Sequence, residues 1–559
     1  MKYMDLYNEW RTNLYFDKKT RLELENIKND TKEIQERFYK NLEFGTAGLR
    51  GIIGAGINRI NEYTVARATF GLANYIIKNE GEKGKARGVV IAHDNRFMSR
   101  EFCLKTANTL AACGIKSYIF DSLRTTPELS FAVRSLNCIA GIVITASHNP
   151  PEYNGYKVYW EDGAQVMPAI AEKITYEINK INDFSKIPKV DEEQKKSVIT
   201  LDKSQDEKFI EAIKQQCRCE NIVKKVSSKF KIVYTPLCGT GNVPVRKILS
   251  EVGFENILVV EEEEKPDSKF SGIKSPNPEE KEALKRGIEL AKKEDANLVV
   301  ATDPDCDRVG VAIKVRKGEY ELLTGNQIGA LLVEYILKNN KSMLEDSTII
   351  KTIVTSELAS KVAKSYGVET MDVLTGFKFI GNKIKEFEIT KEKKFIMGFE
   401  ESYGYLVGTH ARDKDGVVAS MLISEMAAYY FDKEMTLYDA LTDIYERFGY
   451  FKEETISITL NGIEGLQKIK KIMEFFRNIN KETEDIVEIK DYLKEIDGLP
   501  KSNVIKFKLE GDNWIAIRPS GTEPKLKIYI GVNEISLEKA DKKLIDIKSK
   551  LKTILDKLI

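Results

Sequence analysis

Five loops of this 559-residue chain carry side chains whose types and spacing suit chemistry. The densest is Asp303-Pro-Asp305-Cys-Asp307-Arg308, which follows the apolar run 298–301 and sets three carboxylates at alternate positions. Packed so closely, they repel unless a divalent cation holds them together. An EF-hand loop needs Gly at its sixth place and Glu at its twelfth, where this chain has Arg308 and Lys314. A phosphatase of the strand-DxD type normally carries Thr or Val where Asp307 stands. What remains is an octahedral Mg2+ site open to a phosphoryl oxygen, with Arg308 offsetting residual negative charge.

Thr145-Ala-Ser147-His148-Asn149-Pro150 puts a serine in a sharp turn beside one of only three histidines. A Ser-His-Asp hydrolase draws its base from a separate segment, and the GxSxG elbow is absent. Facing a cation held by carboxylates, the same serine can carry a phosphoryl group; alternatively, Ser147 and Asn149 cap a turn before two prolines. Arg518-Pro-Ser520-Gly521-Thr522 joins a guanidinium, two hydroxyls and a glycine that turns N–H groups outward, a nest for a phosphate dianion. Phe44-Gly-Thr-Ala-Gly-Leu-Arg50-Gly51 is similar in kind and offers Arg50 as an oxyanion contact. Glu400-Glu401-Ser402, between Gly398 and Gly404, is equipped to grip sugar hydroxyls in pairs, or else to open a helix with an acidic first turn. Gly239-Thr240-Gly241 does not fit GxGxxG, and no GxxxxGK[ST] occurs, so nucleotide binding lacks support.

These loops need strands to aim them. Helical and strand-like runs alternate at 63–77, 88–91, 100–112, 117–120 and 139–145, which is an α/β pattern. It recurs at 231–234, 243–250, 278–292 and 297–301, and again at 328–337, 348–354, 357–366 and 395–398. Each module ends in an apolar strand running into one of the chemical loops. In open α/β sheets ligands sit beyond the carboxyl ends of strands, so the three loops can converge on one cleft. The polar stretch 190–207 reads as a connection between the first two modules. From about residue 450 strand-like runs at 454–460, 504–509, 514–517 and 526–530, with a helix at each end, predict a smaller α+β domain. The expected division is 1–200, 201–320, 321–447 and 448–559.

Composition bounds the partners. Lys and Arg number 87 against 86 acidic residues, so no overall basic excess draws the chain to nucleic acid or an anionic membrane. Seven scattered cysteines without a CxxC pair argue against disulfides, and His93, His148 and His410 are too dispersed for a histidine-built metal centre. The charged first twenty residues lack a signal-peptide core, which predicts a cytoplasmic protein. Neither monomer nor weak dimer is excluded.

Taken together, TASHNP with NGYK (154–157), DPDCDR, GFEES and RPSGTEP occur in the order of the α-D-phosphohexomutase family, and the resemblance spans nearly the whole chain. FGTAGLRG and Thr375-Gly376-Phe377-Lys378 are similar to its phosphoglucomutase and phosphopentomutase branch. The resemblance implies three related α/β modules with mixed sheets and a C-terminal α+β domain around a central cleft. It implies a Mg2+-dependent isomerase of sugar monophosphates, glucose 1-phosphate and 6-phosphate first, with phosphopentomutase or phosphomannomutase activity as alternatives. A Mg2+-dependent sugar-phosphate phosphatase is the alternative of another class. Ser147 would be the phosphoserine and, with Asp303, Asp305 and Asp307, a metal ligand; a sugar 1,6-bisphosphate would be intermediate and activator. Arg518, Ser520, Gly521 and Thr522 would hold the non-transferring phosphate. Glu400 and Ser402 would hold ring hydroxyls, supported by Arg308, Thr375, Gly376, Lys378 and His410. Lys157, Lys414 and His148 are the candidates for proton transfer, each lysine expected to have a depressed pKa or else to neutralise phosphate. Arg50 would contact the phosphoserine or substrate.

Overall fold

The computed structural model describes residues 2–45, 48–315, 318–340, 345–460, 462–479, 485–519 and 525–558. Four sheets follow one another along the chain. In the first, Ala140–Ile144, Val89–His93, Ser117–Phe120 and Val198–Leu201 run parallel, and Tyr153–Trp160 and Gly48–Ile52 add antiparallel strands at the other side. The second has Leu298–Thr302, Lys231–Thr235 and Asn256–Val259 parallel, with Val309–Lys314 and Tyr320–Leu323 antiparallel beside them. The third pairs Glu369–Val373, Ser347–Thr352 and Lys394–Glu400 in parallel and closes with antiparallel Gly404–Val407. The fourth is antiparallel throughout, in the order Tyr450–Thr459, Lys525–Glu534, Trp514–Pro519, Ile505–Leu509, Ile486–Asp491.

The repeat is a device for presenting loops. In each of the first three sheets a fully or largely buried apolar strand, Ala140–Ile144, Leu298–Thr302 or Lys394–Glu400, ends in a chemical loop. The chain then returns as an antiparallel neighbour of that same strand. Both ends of every loop are therefore pinned by one ladder, which fixes its side chains better than a free connection would.

Four differences from the sequence reading have physical causes. The stretch 190–207 is more than a connection: Val198–Leu201 is an edge strand paired with Ser117–Phe120, four residues long and set in an otherwise polar stretch that hides it. The expected helix 278–292 is a short 3-10 turn at Lys281–Leu284 followed by the helix Lys285–Glu294. In the C-terminal domain Gly462–Arg477 follows the first strand, while Leu537–Leu558 closes the chain. The strand Ile486–Asp491 differs from expectation, because Glu488, Lys490 and Asp491 leave only three apolar residues, too few to show a period.

Modules two and three share one hydrophobic cluster built around the helix Gly416–Phe431, apolar on all sides and buried at nearly every position. The first module and the C-terminal domain have clusters of their own. Asp415 caps that central helix, accepting from Val417 N at 2.8 Å and Val418 N at 3.0 Å.

Candidate active site

The loop after Ala140–Ile144 meets the loop after Leu298–Thr302. Ser147 Oγ lies 2.8 Å from Asp303 Oδ2 and 3.0 Å from His148 Nδ1. Its one proton cannot serve both neighbours, so His148 donates to Oγ when Oγ donates to Asp303. The serine is buried and has φ +54°, a left-handed conformation that a non-glycine residue holds only when its surroundings impose it. Its N–H is bonded to Thr145 Oγ1 at 2.8 Å. Close packing of backbones enforces the turn: a Cβ on Gly155 would stand 2.3 Å from Thr145 O. Burial, then the guanidinium groups of Arg308 and Arg50, push the His148 pKa well below the ordinary imidazole value, leaving a neutral ring beside the hydroxyl.

Asp303, Asp305 and Asp307 are buried, each with a carboxylate oxygen within 4.8 Å of the others. Asp303 Oδ1 accepts the N–H groups of Asp307 and Arg308, both at 3.0 Å. Thr126 Oγ1 donates to Asp305 Oδ2 at 2.8 Å, and the first module thereby buttresses the second. Gly239 has a structural part here: its Cβ would lie 2.5 Å from Pro304 Cα, and Thr240 N donates to Pro304 O at 2.8 Å. Burial and the charges of Asp305 and Asp307 push the Asp303 pKa far up. Asp305 Oδ1 and Asp307 Oδ1 are buried with no hydrogen-bond partner. Hard oxygen donors, mutual repulsion and two unsatisfied carboxylate oxygens fit a Mg2+ ion.

Both candidate lysines touch the triad. Lys157 Nζ lies 2.7 Å from Asp305 Oδ2 and 3.5 Å from Asp307 Oδ2; Lys414 Nζ lies 3.2 Å from both Asp307 Oδ2 and Asp413 Oδ1. The expected depression of their pKa values is reversed. Burial opposes the charge on each, but the surrounding carboxylates outweigh it and raise both above the ordinary lysine value. Asp413 is in turn bonded by Tyr159 OH at 2.7 Å and Gln165 Nε2 at 2.9 Å, which ties the third module to the first.

A cavity of about 1090 Å³ opens beside this centre, lined from all four units. His148 and Arg308 reach it from the chemical end, and Thr375, Gly376, Lys378, Glu400 and Ser402 from the third module. Arg518 reaches it from the fourth. Gly376 N donates to Glu400 Oε1 at 2.9 Å, which joins the two third-module loops. Thr375 Oγ1 and Arg518 Nε are buried without a hydrogen-bond partner. Burial lowers Lys378 to about 8. Arg50 stands at the edge of the serine loop, its Nη1 3.3 Å from Asn149 Oδ1. His410 does not join the wall: its Nε2 is bonded to Asp415 Oδ2 at 2.7 Å and its ring packs near Phe209. Ser520, Gly521 and Thr522 lie outside the described residues.

Sequence reasoning missed other parts of the wall. Lys527 is the cross-strand partner of Arg518 and lines the same cavity; burial, then the Arg518 charge, lower its pKa. Alternation on the antiparallel pair would have found it, since directly opposed residues share a face. Glu279 lines the cavity and ion-pairs with Arg308, a contact that only the tertiary structure reveals.

A buried serine hydroxyl against a carboxylate triad, beside a cleft of mixed charge, is an arrangement suited to phosphoryl transfer. Four family models match in order: Phosphoglucomutase/phosphomannomutase alpha/beta/alpha domains I, II and III at residues 41–184, 207–317 and 324–448, and the C-terminal domain at 469–540. The phosphoglucomutase of Staphylococcus saprophyticus is 38% identical over 532 residues, covering 90% of this chain and 92% of that protein. That of Staphylococcus aureus strain MSSA476 is 39% identical over 516 residues, covering 89% and 91%. Among solved structures, Paramecium parafusin, a phosphoglucomutase in its open form, superposes with TM-score 0.70 at 21% identity, covering 93% of this chain and 95% of that one. A phosphoglucomutase/phosphomannomutase family protein of Burkholderia thailandensis gives 0.67 at 19% identity, covering 91% and 97%. The chain belongs to the phosphoglucomutase/phosphomannomutase family, the α-D-phosphohexomutases. It is an isomerase of the intramolecular phosphotransferase kind. No helix among the described residues is long and apolar enough to cross a membrane.

Proposed function

We propose that the protein is a phosphoglucomutase that interconverts glucose 1-phosphate and glucose 6-phosphate through phosphorylated Ser147 and glucose 1,6-bisphosphate. The observation that carries this reading is Ser147 Oγ held 2.8 Å from Asp303 of a buried triad at the edge of a cleft large enough for a sugar phosphate. Asp303, Asp305, Asp307 and the Ser147 oxygen would hold Mg2+, which neutralises charge on the transferring phosphoryl oxygens when bound.

In the forward step a sugar hydroxyl oxygen forms a bond to the phosphorus of phosphoserine as the Ser147 Oγ–P bond breaks. The hydroxyl gives its proton to the free nitrogen of His148, which lines the cavity, as the Nδ1–H of the same ring passes to Ser147 Oγ, so the imidazole starts and ends neutral. Lys157 and Lys414, kept cationic by their carboxylate neighbours, steady the phosphoryl oxygens. The bisphosphate then turns over and returns its other phosphoryl group to Ser147. Arg518 and Lys527, with Ser520, Gly521 and Thr522, anchor whichever phosphate is not transferring. Glu400, Ser402, Thr375 and Lys378 hold the ring in either orientation, and Arg308 and Arg50 flank the reacting end.

We assign the enzyme to the cytoplasm as a monomer or weak dimer acting on free sugar phosphates, without nucleic acid or membrane. Its domains would divide near the expected 200/201, 320/321 and 447/448, the first two boundaries moved a few residues on so that Val198–Leu201 stays in the first sheet and Tyr320–Leu323 in the second. The test is turnover of purified protein with Mg2+, glucose 1-phosphate and a trace of glucose 1,6-bisphosphate. Glucose 6-phosphate should form, and Ser147→Ala should form none. Steady release of inorganic phosphate without isomerisation would favour a phosphatase instead.

A further inference from the structure

Asp94-Asn95-Arg96 turns away from the end of the strand Val89–His93, and the phosphoryl-transfer reading gives these residues no part. Arg96 is 3% exposed and its side chain is fully buried. Its donors converge on one target, the main chain of the nucleophile loop. Nη2 donates to Ser147 O at 2.5 Å and to Asn149 O, and Nη1 donates to Pro150 O at 2.8 Å and Tyr153 O at 3.1 Å. Its Cζ lies over the ring of Phe270 in the second module, 5.0 Å from the ring centre. Nε stands 3.4 Å from Asp94 Oδ2, and the Asp94 carboxylate is itself tied to Ser99 Oγ at 2.7 Å. Asn95 Nδ2 donates to Asp267 O at 2.8 Å, adding a second link from this turn to the loop that carries Phe270.

We propose that Arg96 is the positioning residue for the nucleophile: its four hydrogen bonds to the carbonyls of residues 147, 149, 150 and 153 hold Ser147 in the left-handed conformation that aims Oγ at Asp303. Ser147 pays a steric penalty at φ +54°, and the loop keeps that shape only where the surroundings over-determine it. Four carbonyls spread over seven residues need a planar fork with five N–H groups; the three donors of an ammonium leave from one point and cannot span them. Because Phe270 belongs to the module that carries Asp303, the same guanidinium registers the nucleophile against its metal-binding partner. Arg96 acts through Ser147 and does not touch the substrate.

The inference rests on the mutase reading and is tested with the full chain as Arg96→Lys and Arg96→Ala. A nucleophile displaced by about 1 Å loses roughly 100-fold in rate. Both variants should therefore lose about that much in kcat with glucose 1-phosphate, while KM changes by less than about threefold because the binding wall is intact. Phosphorylation of Ser147 by glucose 1,6-bisphosphate in a single turnover should slow by the same factor. Millimolar guanidinium ion should restore part of the lost kcat to Arg96→Ala and none to Ser147→Ala. If Arg96→Ala does not fold, Arg96→Lys decides the matter. Wild-type kcat in Arg96→Lys overturns the inference, as does a loss in Arg96→Ala that guanidinium leaves untouched. Wild-type protein without mutase turnover overturns the functional reading instead, so the two failures are distinct.

Discussion

The two ends of the cleft are built on opposite plans. At the chemical end Ser147, Asp303, Asp305 and Asp307 are buried and tied to one another and to the protein, Ser147 to Asp303, Asp303 to two backbone N–H groups, Asp305 to Thr126 and Lys157, with Asp305 Oδ1 and Asp307 Oδ1 lacking a hydrogen-bond partner. At the recognition end Ser402 and Arg518 are half-exposed, Thr375 Oγ1 and Arg518 Nε have no hydrogen-bond partner, and Glu400 and Glu401 mix with Lys378 and Lys527. A reacting centre gains from rigid preorganisation, because dipoles already in place cost nothing to reorient during the reaction. Under the proposed mechanism the wall accepts a sugar bisphosphate in two opposite orientations, and polar groups left unsaturated until the ligand arrives would serve that.

Breaking the chemical end should cost most. Asp307→Ala removes one carboxylate of the triad and should lower kcat by roughly 10³-fold, with a higher Mg2+ concentration needed for half-maximal rate. An unchanged Mg2+ requirement would detach the triad from the metal. At the recognition end, Lys527→Ala deletes a charge-assisted phosphate contact and should raise KM by about 10-fold or more with a smaller change in kcat. Equal loss in both parameters would move Lys527 into the chemistry.

Lys378 gives the recognition end a pH signature. Burial lowers it to about 8, so its positive charge is present below that pH and lost as pH rises through it. Accordingly kcat/KM should fall on the alkaline side of about 8, and Lys378→Met should be lower throughout and lack that limb. The smallest effect is on stability at the seam between the third module and the first strand of the C-terminal domain, Tyr450–Thr459. Burial pushes Glu453 up to about 7 from an ordinary 4.5, so the folded chain keeps a proton that the unfolded chain releases. Stability is therefore lost as pH rises from about 4.5 to about 7. Glu453→Gln should melt a few degrees higher than wild type at pH 8 and at the same temperature at pH 4.5, measured by calorimetry.

The parts legible in the sequence are those where local pattern and chemistry coincide. An apolar strand followed by DPDCD, or by TASHNP, announces both an element and a site, and the three buried strands and their loops stand as expected. What escaped is set by non-local contact. The return strands Tyr153–Trp160 and Val309–Lys314 pin the loops, but a short β-run does not state its partner. The pKa values of Lys157 and Lys414 went the opposite way from expectation because acidic neighbours come from other modules. His410 was read as a sugar contact, yet five residues on it meets Asp415, the cap of the central helix. Arg96 gave no signal, since a lone arginine in a turn looks like solvent-facing charge until four carbonyls close around it.

The central claim is that Ser147 carries the phosphoryl group. Intact-mass measurement of the purified protein, followed by peptide mapping after exposure to glucose 1,6-bisphosphate, tests it most directly. A single added phosphate is expected on the peptide that contains Ser147, discharged by excess glucose 6-phosphate and absent from Ser147→Ala. A phosphate on any other residue, or mutase turnover by protein that never acquires one, would contradict it.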